Sequence, residues 1–318
     1  MDGLLVVDKP SGPTSHDVVA RMRRALREPR IGHTGTLDPM ATGILLLVVG
    51  KATRLAKFLS GSHKSYDAVV RFGFATDTAD AQGRRIGPLG DRAMPSRDAI
   101  DGALDAFRGT FMQQPPAFSA KKIDGQRSYK MARDARLTTP SRDESDRDDL
   151  AERCAVPAPA ALPAPASVTA HRIEIVAVGA DTVTLRVDCS AGFYLRSLAH
   201  DVGERLGVGA HLSALRRTRI GDFGLDTAVD LAAIERDPAA AASAMLSLAD
   251  MLPRLATVVL TAEGVNRVGH GQDVRPIDHQ SSAIGHQPFF RLVDAAGALV
   301  AIAEPAAAGL LHPSVVLV

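Results

Sequence analysis

Apolar and polar positions alternate along this chain in ways that predict a mixture of strands and helices. Near the start, "LLVV" (residues 4–7) is a short apolar run stopped by Pro10, Gly12 and Pro13, which reads as a buried strand ending in a turn. The next segment, "TSHDVVARMRRALR", has Val18, Met22 and Leu26 at four-residue spacing, the stripe of an amphipathic helix. Thr14 with Asp17 three residues on is the pattern of a capping box. "ILLLVVG" (44–50) and "SYDAVVRFGF" (65–74) read as strands, and "FATDTADAQGRR" between residues 74 and 85 reads as a polar loop. "SRDAIDGALDAFRG" predicts a helix capped by Ser96 and stopped near Gly109. "QQPPAFSAKKIDGQRSYKMARDAR" is a proline-broken loop leading into a basic helix.

Residues 141–167 change character. "SRDESDRDDLAER" is acidic and "PAPAALPAPAS" is rich in Pro and Ala, the composition of a mobile insertion. Strands resume with "HRIEIVAV" and "DTVTLRVDCSAG". The helix "YLRSLAHDVGERLG" follows, with Leu198, Val202 and Leu206 on one stripe. From about Met251 short strands and Gly turns ("ATVVLT", "PFFRLVDAAGALVAIAE", "SVVLV") predict a small all-β module. There is no internal repeat. The expected organisation is a larger domain over residues 1–245 and a small domain over 251–318.

Composition narrows the class. The chain has 318 residues, 46% apolar and 23% charged, the balance of a globular protein with a sizeable core. Aromatics are only 4%, with no Trp and three Tyr, so a Tyr beside a candidate site gains significance. Cys154 and Cys189 form neither a disulfide framework nor a metal-ligand spacing, which suits a reducing compartment. The start carries Asp2 and Asp8 where a secretory leader needs basic residues, and no apolar run is long enough to span a membrane. A soluble cytoplasmic protein is expected.

The net charge of +1 hides basic segments. Residues 1–60 hold nine Lys/Arg against five acids, residues 121–136 six against two, and residues 191–220 five against two. Such clusters either track phosphates or form solvated helix faces, and charge alone favours the second.

The candidate chemistry centres on "GHTGTLDPMATG", residues 32–43. An Asp before Pro is ordinarily a turn-former whose side chain satisfies nearby backbone N–H groups. His33 and Asp38 suggest a metal pair, yet no third ligand stands at a helpful spacing. The glycines would admit a phosphate, but the Lys-Ser/Thr end of a P-loop is missing.

The whole string is more specific than these fragments, and it closely resembles the catalytic motif of the TruB family of bacterial tRNA pseudouridine synthases. Further stretches resemble that family in order: "GLLVVDKPSGPTSHDVV", "KSYDAVVRFGFATDTADAQG", "QQPPAFSAKKIDGQRSYKMAR" and "CSAGFYLRSLAHDVGERLGVGAHLSALRRTRIGDF". The resemblance covers about residues 3–136 and 170–235, and the tail resembles the family's small PUA-type RNA-binding barrel. It implies an α+β fold: a pseudouridine-synthase domain with a mixed, mostly antiparallel sheet and flanking helices, plus a small C-terminal PUA-like β-barrel.

The implied activity is isomerisation of uridine 55 in the T loop of tRNA. That reaction involves no redox change and no net hydrolysis, so no cofactor and no metal are expected. Asp38 matches the family's nucleophile, which attacks the sugar's anomeric carbon or assists departure of the base; sequence leaves both routes open. Tyr66 matches the tyrosine that lies against the flipped base and can help move a proton. Arg196 matches the arginine that pairs with the aspartate and favours its charged form in a desolvated pocket. Tyr194 and Leu215 match residues lining the uridine pocket. His33 matches a histidine that contacts the substrate arm. Lys9 is expected to support the active-site loop, with phosphate contact as its second role. The implied partner is the T-arm stem-loop of tRNA, with no membrane, no obligate protein partner and a monomeric chain. One departure is the long acidic stretch before Ile173, with "SVTAHRIEI" where the family pattern is Arg-rich. The alternative is a non-catalytic RNA-binding protein or tRNA folding helper on the same scaffold.

Overall fold

A computed structural model describes residues 1–87, 93–118, 122–123, 126–127, 163–276 and 287–318. Its opening elements are β1 (Gly3–Lys9), α1 (Ser15–Ala25), β2 (Ile31–His33), β3 (Thr42–Val49), α2 (Ala56–Ser60) and β4 (Lys64–Phe72). Then come β5 (Ala75–Thr76), β6 (Arg85–Ile86), α3 (Arg97–Leu104), β7 (Gly109–Gln113), β8 (Lys122–Ile123) and β9 (Gln126–Arg127). After these follow β10 (Ala166–Val178), β11 (Thr182–Cys189), α4 (Leu195–Leu206), β12 (Ala210–Ile220), β13 (Phe223–Gly224) and β14 (Val229–Asp230). The last elements are α5 (Leu231–Arg236), α6 (Pro238–Ser243), β15 (Ala256–Val259), α7 (Ala262–Gly269), β16 (Phe290–Val293), β17 (Leu299–Pro305) and β18 (Leu311–Val316).

Contacts divide the chain into two units: Met1–Leu37 with Ile44–Gly61 and Leu225–Val318, and Asp38–Gly43 with Ser62–Gly224. In the first, β1 lies between β14 and β3 and is parallel to β14 through Val7↔Val229. The short β2 runs antiparallel to β3. The capping box of α1 is formed as its sequence predicts. Thr14 Oγ1 accepts from the Asp17 N–H at 3.1 Å, and the Thr14 N–H donates to Asp17 Oδ2 at 2.9 Å. Val18, Val19 and Met22 of α1 then pack with Leu5, Val7, Leu45, Leu47 and Leu231 in a dry cluster. The helix stops short of the predicted Arg27, which takes a left-handed φ of 51°.

The same unit contains the C-terminal sheet, ordered β15-β16-β17-β18, with α7 beside it. Phe290, Leu292, Val300, Ala301 and Leu311 fill its core. Gly297, at φ 83°, closes the turn after Asp294. These four strands form an open path among the described residues, so the small β module is present but not as a closed barrel.

The second unit is built on the order β12-β4-β11-β10-β7, antiparallel throughout, with β13 on β12. Thr42 and Gly43, the first residues of β3, run parallel to Arg216 and Arg217 of β12. The architecture is therefore the expected mixed, mostly antiparallel α+β arrangement. Helix α4 packs on β12 and α3 and ends at Gly207 in the left-handed region, φ 65°.

Three expectations need correction here. The polar loop expected over residues 74–85 begins and ends in strand, with β5 paired to β6; Thr76 and Asp80 are buried, and the chain folds around the Asp80 carboxylate. Strand β10 starts at Ala166, because Ala166 and Ser167 already pair with Gln113 and Met112 of β7, so the predicted insertion's last two residues are strand. The basic segments are not uniformly solvated, since Lys9, Arg196 and Arg217 are buried. Residues 141–162 of the insertion and the basic helix after Ser128 lie outside the described residues.

Candidate active site

Asp38 opens a turn that its own backbone closes: the Ala41 N–H donates to the Asp38 carbonyl at 3.1 Å. The main chain thus satisfies the turn, and the carboxylate is left for another partner. That partner is Arg196, the second residue of α4. Its Nε lies 2.9 Å from Asp38 Oδ2, and its Nη2 donates to Oδ1 at 3.2 Å, a two-pronged pair. The arginine side chain is only 6% exposed, whereas that of Asp38 is 33% exposed. The carboxylate is gripped on one edge and open on another.

The guanidinium is held from further sides. Nη2 donates to the Phe118 carbonyl at 2.7 Å and Nη1 to that of Thr78 at 3.2 Å. A second carboxylate, Asp80, lies 3.8 Å from Nε. Asp80 is fixed in turn by the Thr78 hydroxyl at 2.7 Å and the Gln82 N–H at 3.0 Å. Sequence reasoning missed Asp80; the signal was its placement in "TDTADAQG", where short polar side chains can knit a folded turn.

Tyr194 is the N-cap of α4 and has no side-chain capping bond. Gln113, 2% exposed, holds it instead: its Oε1 accepts from the Tyr194 N–H at 2.8 Å and its Nε2 donates to the Tyr194 carbonyl at 3.0 Å. This double clamp fixes the helix start that carries Arg196. Gln113 opens the family-like stretch "QQPPAFSAKK", yet nothing in that stretch singles it out, since β7 is a short edge strand with mostly exposed positions.

Tyr66 is buried on β4, directly opposite Arg217 of β12 and Val187 of β11. Directly opposed residues share a face, as do residues two apart on one strand. Leu215, opposite Ala68, therefore lies on the same face as Tyr66 and Arg217. Burial pushes the Tyr66 phenol up from its ordinary value; the charge and hydrogen bond of Arg217 oppose that rise, while Asp38 adds to it. The structure thus brings Asp38 and Arg196 into contact and sets Tyr66 within electrostatic reach of Asp38.

His33 and Lys9 belong to the first unit. His33 ends β2, half-buried, with its ring 5.3 Å from that of His16 and nearly perpendicular to it. Lys9 is fully buried, and its Nζ donates to the carbonyls of Pro10 and Pro13 at 2.8 and 2.9 Å. That geometry suits the supporting role. It offers no exposed ammonium for the second expectation, a phosphate contact.

Ser15 does similar work unpredicted. Its hydroxyl accepts from the Leu37 N–H at 2.8 Å and donates to the Leu37 carbonyl at 3.1 Å, both buried. It thereby pins the residue just before Asp38. Ser15→Ala is expected to cost about 1–3 kcal/mol, because a buried N–H loses its acceptor. Urea unfolding of the two proteins at equal pH checks this, and an unchanged midpoint would remove Ser15 from that role.

Lys64 and Cys189 add a pH signature. Burial, helped by the charge of Arg217, pushes the Lys64 ammonium down from 10.5 to about 8. Burial pushes the Cys189 thiol up from 9.0 to about 12. Between pH 8 and 10.5 the unfolded chain keeps a proton on Lys64 that the folded chain has released, so stability rises with pH. Above pH 9 the unfolded chain loses the Cys189 proton first, and stability falls. A rise in the urea midpoint from pH 8 to 9 is expected, and Lys64→Met should abolish it. Equal slopes in the two proteins would contradict the assignment. Among the described residues, no group of three or more His, Cys, Asp or Glu is placed to hold a metal ion.

This geometry coincides with a family assignment. The chain matches the model described as TruB family pseudouridylate synthase (N terminal domain) over residues 23–145. It matches tRNA pseudouridylate synthase B C-terminal domain over residues 196–260. The chain belongs to the TruB family. The tRNA pseudouridine synthase B of Solibacter usitatus is 37% identical over 325 residues, covering 100% of both chains. That of Mycobacteroides abscessus is 43% identical over 231 residues, covering 71% of this chain and 70% of the relative. Among solved structures, a Cbf5-Nop10-Gar1 complex has a chain with TM-score 0.68 and 24% identity, covering 99% of this chain and 85% of that one. At that identity the likeness concerns the fold alone. As a TruB family pseudouridylate synthase, the chain is an isomerase.

Proposed function

We propose that this enzyme isomerises uridine 55 in the T loop of tRNA to pseudouridine, with Asp38, Tyr66 and Arg196 as its catalytic residues. The observation that carries the proposal is the Asp38 carboxylate, held in two-pronged contact by a buried Arg196 yet 33% exposed. The reaction breaks the N1–C1′ bond, forms a C5–C1′ bond, removes a proton from C5 and leaves one on N1. The composition of the nucleoside is unchanged, and no oxidant is consumed. A carboxylate poised at C1′ attacks the sugar or assists departure of the base. The target base is stacked within folded RNA, so the nucleotide is flipped into the pocket. Tyr66 then presents a ring for stacking and a phenol for proton transfer, while Tyr194 and Leu215 line the pocket.

Arg196 supplies a fixed positive charge that needs no rearrangement as the reaction proceeds. His33 contacts the substrate arm, and Lys9 keeps the turn at Pro10–Pro13 in shape. Residues 251–318 serve as a PUA-like RNA-binding module appended to a catalytic domain over 1–245. The chain acts as a cytoplasmic monomer on the T-arm stem-loop, without a protein partner.

The test is incubation of purified protein with a T-arm transcript, then chemical tagging of pseudouridine and mass spectrometry. One tagged nucleotide at position 55 is expected. Binding without any tagged product would favour the non-catalytic RNA-binding alternative, and a tag elsewhere would reject the site.

A further inference from the structure

Arg217 is one of the largest fully buried side chains, at 1% exposure. A charge taken out of water is costly unless something pairs with it. Its position in the sheet places one hydrogen-bond partner beside it, the Tyr66 phenol. Across β12 and β4 it is the direct partner of Tyr66, so the two side chains leave the sheet on the same face. Its backbone makes a second attachment. Arg217 is also the parallel partner of Gly43, which ends the segment beginning at Asp38. Gly43 has φ 98°, and a Cβ there would come within 2.2 Å of the Arg217 carbonyl oxygen. Only glycine lets the strand approach this closely.

We propose that Arg217 is a positioning residue, which fixes the Tyr66 phenol through its side chain and the end of the Asp38 segment through its backbone. One buried arginine thereby ties the stacking tyrosine and the nucleophile to the same point of the sheet. The inference rests on the reading of Tyr66 as the residue against the flipped base. The groups that act on the Tyr66 phenol fit the same picture: Arg217 from β12, Cys189 from β11 and Asp38 from its loop. Of these only Arg217 favours the phenolate. Arg217, directly across the strands from Tyr66 and hydrogen-bonded to it, is the cation that orients the hydroxyl.

The experiment compares Arg217→Met, Arg217→Lys and Tyr66→Phe, alone and combined, in single-turnover isomerisation and in T-arm RNA binding. Arg217→Met is expected to slow isomerisation on the order of 10²-fold, the effect of a misplaced catalytic group, with binding nearly unchanged. Arg217→Lys restores the charge without the fork and should recover part of the rate. In the Tyr66→Phe background both Arg217 substitutions should cost little more, because a group acting through the phenol has nothing left to act on. Tyrosine labelled at Cζ reports the phenol directly: its Tyr66 resonance, assigned by loss in Tyr66→Phe, should shift in Arg217→Lys. Losses that multiply fully with Tyr66→Phe, or an unmoved Tyr66 resonance, overturn the proposal. If Arg217→Met does not fold, the Arg217→Lys cycle decides the same question. A fully active Tyr66→Phe protein would instead refute the role of Tyr66, while the resonance still tests the tie.

Discussion

Asp38→Asn is expected to abolish pseudouridine formation, a loss on the order of 10⁴-fold or more, as when a nucleophile is removed from an otherwise intact site. The substitution keeps shape and removes charge and nucleophilicity. The turn survives, because its closing hydrogen bond runs between backbone atoms of Ala41 and Asp38. Arg196 keeps a countercharge in Asp80, 3.8 Å from its Nε, and keeps the carbonyls of Thr78 and Phe118. The variant should therefore fold and bind T-arm RNA almost as the native chain does. Single-turnover assays with filter binding separate the two properties. Substantial turnover by Asp38→Asn would reject the carboxylate as the reacting group, and lost binding would recast it as a substrate anchor.

Arg196→Met is expected to strike both stability and rate. The native guanidinium serves two carboxylates and two carbonyls from a position 6% exposed. Removing one side of such a pair leaves uncompensated buried charge, at a cost of about 3–5 kcal/mol. The reaction should slow on the order of 10³-fold, because a fixed charge beside the reacting carboxylate is lost. Arg196→Lys is no rescue: a single ammonium cannot span four acceptors set around a planar fork. Urea midpoints and isomerisation rates should fall together in both variants. A lysine variant with native rate would show that charge alone suffices and that the fork geometry is incidental.

Much of the frame was legible in the sequence because local rules and tertiary packing agree there. The capping box at Thr14 and Asp17 and the stripe of Val18 and Met22 gave α1. The apolar run 44–49 gave β3, and the segment 65–74, rich in β-branched and aromatic residues, gave β4. Strand β12 was not legible. Its buried face carries Arg217, its alternation is interrupted by register shifts beyond Leu212 and Arg217, and its arginines read as a solvated basic cluster. The same ambiguity hid Asp80: a short polar side chain in a turn looks alike whether it faces water or a buried guanidinium. Motif resemblance named Asp38, Tyr66 and Arg196. The groups that hold them, Gln113, Ser15 and Arg217, act through backbone contacts or cross-strand register, which no local pattern encodes.

The close approach of Gly43 to Arg217 makes the span 38–43 a ruler. Its far end is nailed to a strand register, so its length sets how far the nucleophile projects. An inserted or deleted residue there would misplace the carboxylate or slip the register and turn inward side chains outward. Outer loops tolerate added residues, but this short tether has to keep its measure.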